Sequence, residues 1–364
     1  MSEGRRGFRK IIKQQKSAVI YLSIFAVICI VGILAIIFID EPEDTTKRNR
    51  TDKIVKIGGV DCVPKQNIET YLIIGTDVKG KLTKETTQAT TEEKIYGAKE
   101  TKKPADDKDT YNPGRADVLT LLVIDREKNT YALLPIDRDT ITAVDSLDEN
   151  GNYLATTDVQ LALAYEVADG KEKSCENTMK SVSELLHDQY IDEYAALSQD
   201  AIKKINNSVG GVTVKIKDDF SESDKSLKKG KTIKLNDDQA QHYVHDRMNV
   251  GDGTNECRMR RQNEYMKGLK KLVGERTDKN PKFPINVYRD LNDYMITSMS
   301  GEDSSKIVKA VLKNKYLGTF KLEGKSKKDD YGYNAFYPKK KSLDEVVRKL
   351  FYDEVDKDGK IKDE

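Results

Sequence analysis

Between Arg115 and Asp139 the chain reads RADVLTLLVIDREKNTYALLPIDRD, with arginine and aspartate at both ends and branched apolar residues between. Val118 to Ile124 and Tyr131 to Ile136 are nearly continuous apolar runs, the pattern of strands buried on both faces, and Glu127 to Thr130 supplies a polar turn. Folded as a hairpin, the pair brings Arg115 and Asp117 within a residue or two of Arg138 and Asp139. Charges at strand ends are commonly weak surface salt bridges. Here the doubling matters, because guanidinium forks match phosphate oxygens in a bidentate way and a nearby carboxylate can hold a hard divalent cation against the same phosphates. That combination suits a pyrophosphate.

A second group of candidates follows the glycine-bearing loop MNVGDGTNE, on a helix expected to start near Cys257 or Arg258. Counted at about 100° per residue, Tyr265, Met266, Leu269, Leu272 and Val273 share one buried arc, and Arg258 and Gln262 fall inside it with Arg261 at its border. Arg260 points the other way, with Lys267 and Lys271, to solvent. An Arg and a Gln on the apolar side of a helix must find partners or be costly. Buried pairing with an aspartate is one solution. A phosphate seat at the helix N-terminus, where free amides and the dipole favour anions, is the other.

The elements that must position these groups are legible around them. Glu69 to Gly75 reads as the first core strand, ending in Thr76-Asp77. From Lys79 to Pro113 the chain is rich in Thr, Lys, Glu and Asp, too long for an ordinary loop, and reads as a mobile insertion beside the charged sheet edge. Asp145 to Asn152 reads as a turn-rich loop, Asp158 to Val167 as a buried helix and Cys175 to His187 as an amphipathic one. Tyr190 to Leu197 resembles a short strand, and Asp200 to Val209 a helix stopped by Gly210-Gly211 before the strand Val212 to Ile216. After the charged loop Asp219 to Lys231, Asn236 to Arg247 opens with capping residues as a helix. Ser304 to Leu312 and Leu343 to Phe351 read as helices and Gly318 to Leu322 as a strand. Tyr333 to Pro338 reads as packing, and the tail beyond Asp353 as disordered. Alternating strands and helices predict an α/β or α+β sandwich around one central sheet.

Composition narrows the function. The chain has 364 residues, enough for one large domain or two ordinary ones, and its 63 Lys+Arg against 61 Asp+Glu leave a net charge of +2. No global basic field argues for nucleic acid. With 3 His and no Trp, a His-based triad or His-rich metal site has few candidates. Ser17 to Ile39 is uncharged and long enough to cross a bilayer, and Arg5, Arg6, Arg9, Lys10, Lys13 and Lys16 precede it. The expectation is a basic cytoplasmic tail over 1–16, a transmembrane helix over 17–39 and an extracellular stalk over 40–66 carrying the folded part outside. The run exceeds a signal-peptide core, and Asp40-Glu41-Pro42 is a poor cleavage site. Of the remaining cysteines, Cys62, Cys175 and Cys257 show no metal-ligand spacing, and a Cys175–Cys257 disulfide is left open.

Taken together, YLIIGTD, RAD, LPIDRDT, INNSVGGVTV, LNDDQAQHYVHDR and RMRRQ, in that order between Asn67 and Lys271, resemble the LytR–CpsA–Psr family of Gram-positive cell-envelope proteins. The resemblance implies a three-layer α/β/α sandwich with a central mixed β-sheet, outside a single-pass membrane. The expected division is a catalytic domain over 67–274 with the mobile insertion at 79–113, a C-terminal part packing on it over 275–352 and a disordered tail over 353–364. The resemblance further implies that the lipid tail of a polyprenyl (pyro)phosphate lies in an apolar tunnel, and that a teichoic-acid or capsule type glycopolymer passes from that carrier to peptidoglycan through a phosphodiester, with Mg²⁺. On this resemblance Asp77 and Asp117 hold the cation. Arg115, Arg138, Arg247, Arg258, Arg261 and Gln262 contact the phosphates. Apart from the resemblance, Asp117, Arg138 and Asp139 are the catalytic candidates, and Asp117 or Asp139, near the metal, is the expected proton acceptor. A non-catalytic polyprenyl-phosphate binding module and a polyprenyl pyrophosphatase are the alternatives. Three positions depart from the family pattern: His245 stands where an arginine is usual two residues before Arg247, Asp137 where a proline precedes the hairpin arginine, and Cys257 where a glycine precedes the helix arginine.

Overall fold

The structure is a computed structural model in which residues 53–82, 113–148, 151–246, 249–253, 255–329 and 332–362 are described. The expected basic tail, transmembrane run, most of the stalk and insertion, and Arg247 lie outside the described residues. No helix among those described is long and apolar enough to cross a membrane.

The described chain opens with two short antiparallel strands, β1 (Val55–Ile57) and β2 (Val60–Pro64), and enters the core on β3 (Ile68–Thr76). The predicted hairpin follows as β4 (Ala116–Asp125) and β5 (Thr130–Ile136), turning on Asn129 in the left-handed region (φ 49). Next come β6 (Ile141–Leu147), β7 (Tyr153–Gln160), α1 (Leu163–Glu166), α2 (Glu172–Leu185) and β8 (Glu193–Leu197). Helix α3 (Ala201–Ser208), the pair β9 (Thr213–Lys215) and β10 (Thr232–Lys234), α4 (Asp237–His245) and α5 (Asn255–Lys279) lead to the C-terminal part. That part holds α6 (Phe283–Leu291), β11 (Met295–Thr297), α7 (Gly301–Lys313), β12 (Lys315–Thr319), β13 (Gly324–Lys328), β14 (Asn334–Pro338), α8 (Lys340–Phe351) and β15 (Tyr352–Glu354).

Six strands form the central mixed sheet in the order β11-β8-β3-β4-β5-β12. β3 runs antiparallel to β4 and parallel to β8, and β12 runs parallel to β5. Because successive side chains alternate between faces, each strand feeds two cores. Tyr71, Ile73, Leu122, Ile124 and Leu133 bury one face against α3, α4, α5, α6 and α7. Leu72, Ile74, Leu121, Val123 and Leu134 bury the other against α1, α2 and α8. Apolar runs without alternation are what a sheet covered on both sides requires.

Several expectations change. The loop at 145–152 and helix at 158–167 are instead the hairpin β6–β7 followed by the four-residue α1. Most of β7 is exposed and carries no apolar alternation, so only its Thr156, Thr157 and Val159 content favoured a strand. The insertion does not loosen at once: Leu82 is buried and its N–H donates to the Asp293 carbonyl at 2.7 Å, while the Gly80 N–H donates to Asp200 at 2.7 Å. The C-terminal tail is ordered through 362, since β15 pairs with β2 and Val355 is buried. Gly318 to Leu322 is displaced as a strand, the sheet using Lys315–Thr319. The segment at 275–352 does more than pack on the sheet, because β11 and β12 are its two outer strands.

Candidate active site

The sheet edge is built by a register defect. β3 and β4 pair residue for residue as far as Gly75 opposite Val118, and the next pair is Thr76 opposite Ala116. Asp117 is therefore the extra residue of a β-bulge, a device that re-aims a side chain and recurs beside functional sites. Beyond it the backbones close again: the Arg115 N–H donates to Asp77 Oδ1 at 2.8 Å, and the Asp77 N–H donates to the Arg115 carbonyl at 3.2 Å. Gly114 makes this approach possible. Its φ is +78, and a Cβ there would stand 2.8 Å from Asp77 Oδ1.

The β4–β5 ladder ends at Leu119 opposite Ile136, and two residues further along each strand come Asp117 and Arg138. Arg138 Nη1 is ion-paired with Asp117 Oδ1, and its Nε lies 3.6 Å from Asp139 Oδ1. The backbone of Ala162 ties the two ends together: its carbonyl accepts from Ala116 N–H at 3.3 Å and its N–H donates to the Arg138 carbonyl at 2.9 Å. The Arg115 guanidinium turns to Glu166 on α1 at 2.6 Å. Nothing in the sequence pattern distinguished Glu166, which lay within an expected buried helix.

Burial pushes the Asp117 carboxyl above the usual carboxylate range and the Asp77 charge adds to this, while Arg138, His245 and Arg115 pull it back. Burial likewise raises Asp139, with Asp137 adding and Arg138 opposing. Asp77, Arg115, Asp117, Arg138 and Asp139 thus share one edge, and His245 brings the end of α4 into its field.

α4 is held by a capping box at its start, with Asn236 and Gln239 exchanging side-chain and backbone hydrogen bonds. At its other end Asp246 receives hydrogen bonds from Ser223 and, at 2.8 Å, from His242 Nδ1, and lies 3.9 Å from His245 Nδ1. Burial opposes the Asp246 charge, but His245, Ser223 and His242 outweigh it and hold the carboxyl down at about 2.

The predicted helix residues divide. Arg258 is half-buried on α5. Gln262, one turn on, is 7% exposed and donates to the Val244 carbonyl at 2.9 Å. Arg261 is turned into the protein: it is 2% exposed, with Nε on the Tyr243 carbonyl at 2.9 Å, Nη1 on Asp218 at 2.9 Å and Nη2 on the Asp246 carbonyl. Its guanidinium also lies 5.2 Å from the Phe220 ring centroid. The pairing reading therefore applies to Arg261, which clamps α5 to the end of α4. Arg260 is not free in solvent either, being ion-paired to the same Asp218. Asp218 sat in a charged stretch with no periodicity to mark it. Cys62, Cys175 and Cys257 are all free thiols.

The comparisons with known proteins bear on this architecture. A family model described as the LytR_cpsA_psr family matches residues 40–351. No curated protein matches the chain. Among solved structures, TagT bound to LI-WTA is 17% identical with a TM-score of 0.52, over 86% of this chain and 98% of that one. TagV of B. subtilis is 19% identical with a TM-score of 0.51, over 78% and 96%. Protein gbs0355 of Streptococcus agalactiae is 18% identical with a TM-score of 0.53, over 78% and 88%. At these identities the likeness is one of fold.

Proposed function

The chain belongs to the LytR–CpsA–Psr family, and from that membership we propose that it transfers a cell-envelope glycopolymer from a polyprenyl pyrophosphate carrier to peptidoglycan, forming a phosphodiester. The polymer class, of teichoic-acid or capsule type, is supported by the shared fold of TagT, solved bound to LI-WTA. The apolar run 17–39 and its basic flank support a single-pass anchor, with the folded part outside the cell. The observation that carries the reading is the Arg138–Asp117 pair at the bulge, beside Asp77 and Arg115.

Bare capture of an anion calls for arginine and not for carboxylates. Three carboxylates, Asp77, Asp117 and Asp139, lie among these arginines, and the Asp77 charge adds to the upward push that burial gives Asp117. One or two carboxylates plus substrate phosphates are what Mg²⁺ ordinarily uses, so the donor set fits that ion. Asp77 and Asp117 would hold it, and it would neutralise charge on the pyrophosphate oxygens.

Arg138 and Arg115 then bind and orient the phosphates, joined by Arg258 and by Arg247 in the adjoining segment, while Gln262 and Arg261 fix the α4–α5 corner. Arg138 neutralises the charge that builds on the phosphoryl oxygens in transfer. The acceptor sugar hydroxyl attacks the phosphorus next to the glycan, its oxygen bonds to that phosphorus, and the bond to polyprenyl phosphate breaks. Asp139, ion-paired to Arg138 and raised by burial, takes the hydroxyl proton.

The test is incubation of the full-length protein in lipid nanodiscs with lipid-linked glycan, peptidoglycan oligomer and Mg²⁺. A phosphodiester-linked product is expected. Release of polyprenyl phosphate and glycan phosphate with no peptidoglycan-linked product would make the protein a pyrophosphatase, and a bound but unreacted lipid would make it a binding module.

A further inference from the structure

By helical phase, Cys257 and Arg260 stand on the side of α5 opposite Arg258 and Gln262. A cavity of about 400 Å³ opens there, between the loop after β9, the loop before α5 and the helix itself, lined by Lys217, Asp219, Lys229, Asp252 and Arg260 over Asp218. It is unrelated to the apolar face of the sheet, and the function proposed above leaves it unused.

The depression is open to solvent, and its floor is firmly held. Asp218 is 7% exposed and grips Arg260 and Arg261 together. Gly251 packs so closely on it that a Cβ would stand 3.3 Å from the Asp218 side chain. Phe220, buried directly behind, stacks on Tyr243 at 5.9 Å. The rim is set by local bonds: Asp219 accepts the Ser221 N–H at 2.9 Å and faces Lys229, and Lys217 pairs with Glu264.

The lining is polar and balanced in sign, with lysines and an arginine interleaved among aspartates. A polyanion would be opposed by Asp219 and Asp252, and a polycation by Lys217, Lys229 and Arg260. A neutral glycan would draw on neither set. The ligand that such a lining matches carries an amine and a carboxylate on one short scaffold, and a cavity of this volume suits a ligand of a few residues. Resting on the transfer reading above, we infer that this cavity receives the stem peptide of the peptidoglycan acceptor, whose carboxylates and side amine meet Arg260 and Lys229 on one side and Asp219 on the other. The peptide then lies against the same helix start that presents Arg258 and Gln262 around its circumference. Asp218 links the two sides, because the Arg261 it holds also grips the Tyr243 and Asp246 carbonyls at the end of α4.

The experiment uses full-length protein in nanodiscs and two soluble probes: a disaccharide-peptide fragment of peptidoglycan and the same disaccharide without peptide. Calorimetry is expected to show the peptide-bearing fragment binding the wild type more tightly. Lys229→Ala and Arg260→Ala should each weaken that binding by about tenfold and raise the acceptor KM to match, with kcat and donor KM unchanged. Arg260→Lys should recover part of the loss. Lys229 is exposed, so its variant tests the cavity even where Arg260→Ala perturbs folding. Equal binding of both fragments, or wild-type binding by Lys229→Ala, overturns the assignment. If the fragment binds as described and no polymer is transferred, the cavity stands and the transfer reading falls. If transfer runs while both substitutions leave acceptor binding alone, the reverse holds.

Discussion

Asp117 is the residue that β4 inserts against β3, and Arg138 is the residue the β4–β5 register sets opposite it, so a single bulge decides that these two side chains meet. Without the insertion, Asp117 would follow the alternation of its strand and turn to the other face of the sheet.

Arg138→Ala is expected to lower the rate of polymer transfer by about 10²- to 10³-fold, the range for removing one preorganised donor to transition-state charge. Both partners of the pair are substantially exposed, so the stability cost should stay under about 1 kcal/mol. Single-turnover transfer and thermal unfolding on the same preparation check both halves. Unfolding with retained specific activity would return the pair to a structural role.

Asp77→Asn should raise the Mg²⁺ concentration needed for half-maximal transfer by at least roughly tenfold while leaving the fold intact. Gly114→Ala should act in the same direction, because its Cβ would meet Asp77 Oδ1 at 2.8 Å where φ is already +78. A Mg²⁺ titration of initial rates measures both, and wild-type metal dependence in Asp77→Asn would remove that aspartate from the site.

Arg261→Ala is expected to destabilise the domain by about 3 kcal/mol, since it takes the donor from Asp218 Oδ2 and from the Tyr243 and Asp246 carbonyls and leaves Asp218 paired to Arg260 alone. Urea unfolding should show the loss. Whatever remains folded should keep its specific activity, the opposite of Arg138→Ala.

Asp246 supplies a pH signature. Its folded carboxyl titrates at about 2, below its ordinary value of 3.8, so the folded state binds fewer protons in that window. The stabilisation is complete above pH 3.8 and is lost as pH falls toward 2, amounting to about 2 kcal/mol at most. The difference in unfolding free energy between wild type and Asp246→Asn should therefore shrink across that acid window. A difference that does not change with pH would contradict the assignment.

How far the sequence reveals this site depends on which interactions are local. The hairpin and its charged ends could be read because strand pairing about a short turn is set by apolar patterning alone, and helical phase placed Gln262 inward for the same reason. Helical phase leaves Arg261 at the border of the arc and does not find its partner, because Asp218 comes from a loop whose course no periodicity records. Helical phase turns Arg260 to solvent, which is correct about its direction and silent about the Asp218 carboxylate it meets there. β7 went unseen because a hairpin standing off the core has no buried face to leave a pattern, and the C-terminal tail because one valine and a few backbone bonds hold it.

The two outermost strands of the central sheet, β11 and β12, both come from the last quarter of the chain, and β15 returns to pair with β2 near the beginning. A polypeptide emerging from the ribosome can zip β3, β4, β5 and then β8, yet the outer edges of β8 and β5 stay unpaired until β11 and β12 have been made. Contacts so distant in sequence favour slow closure. A nascent chain cut short at Gly274 would present bare ladder edges to its neighbours, a template for aggregation rather than a smaller enzyme.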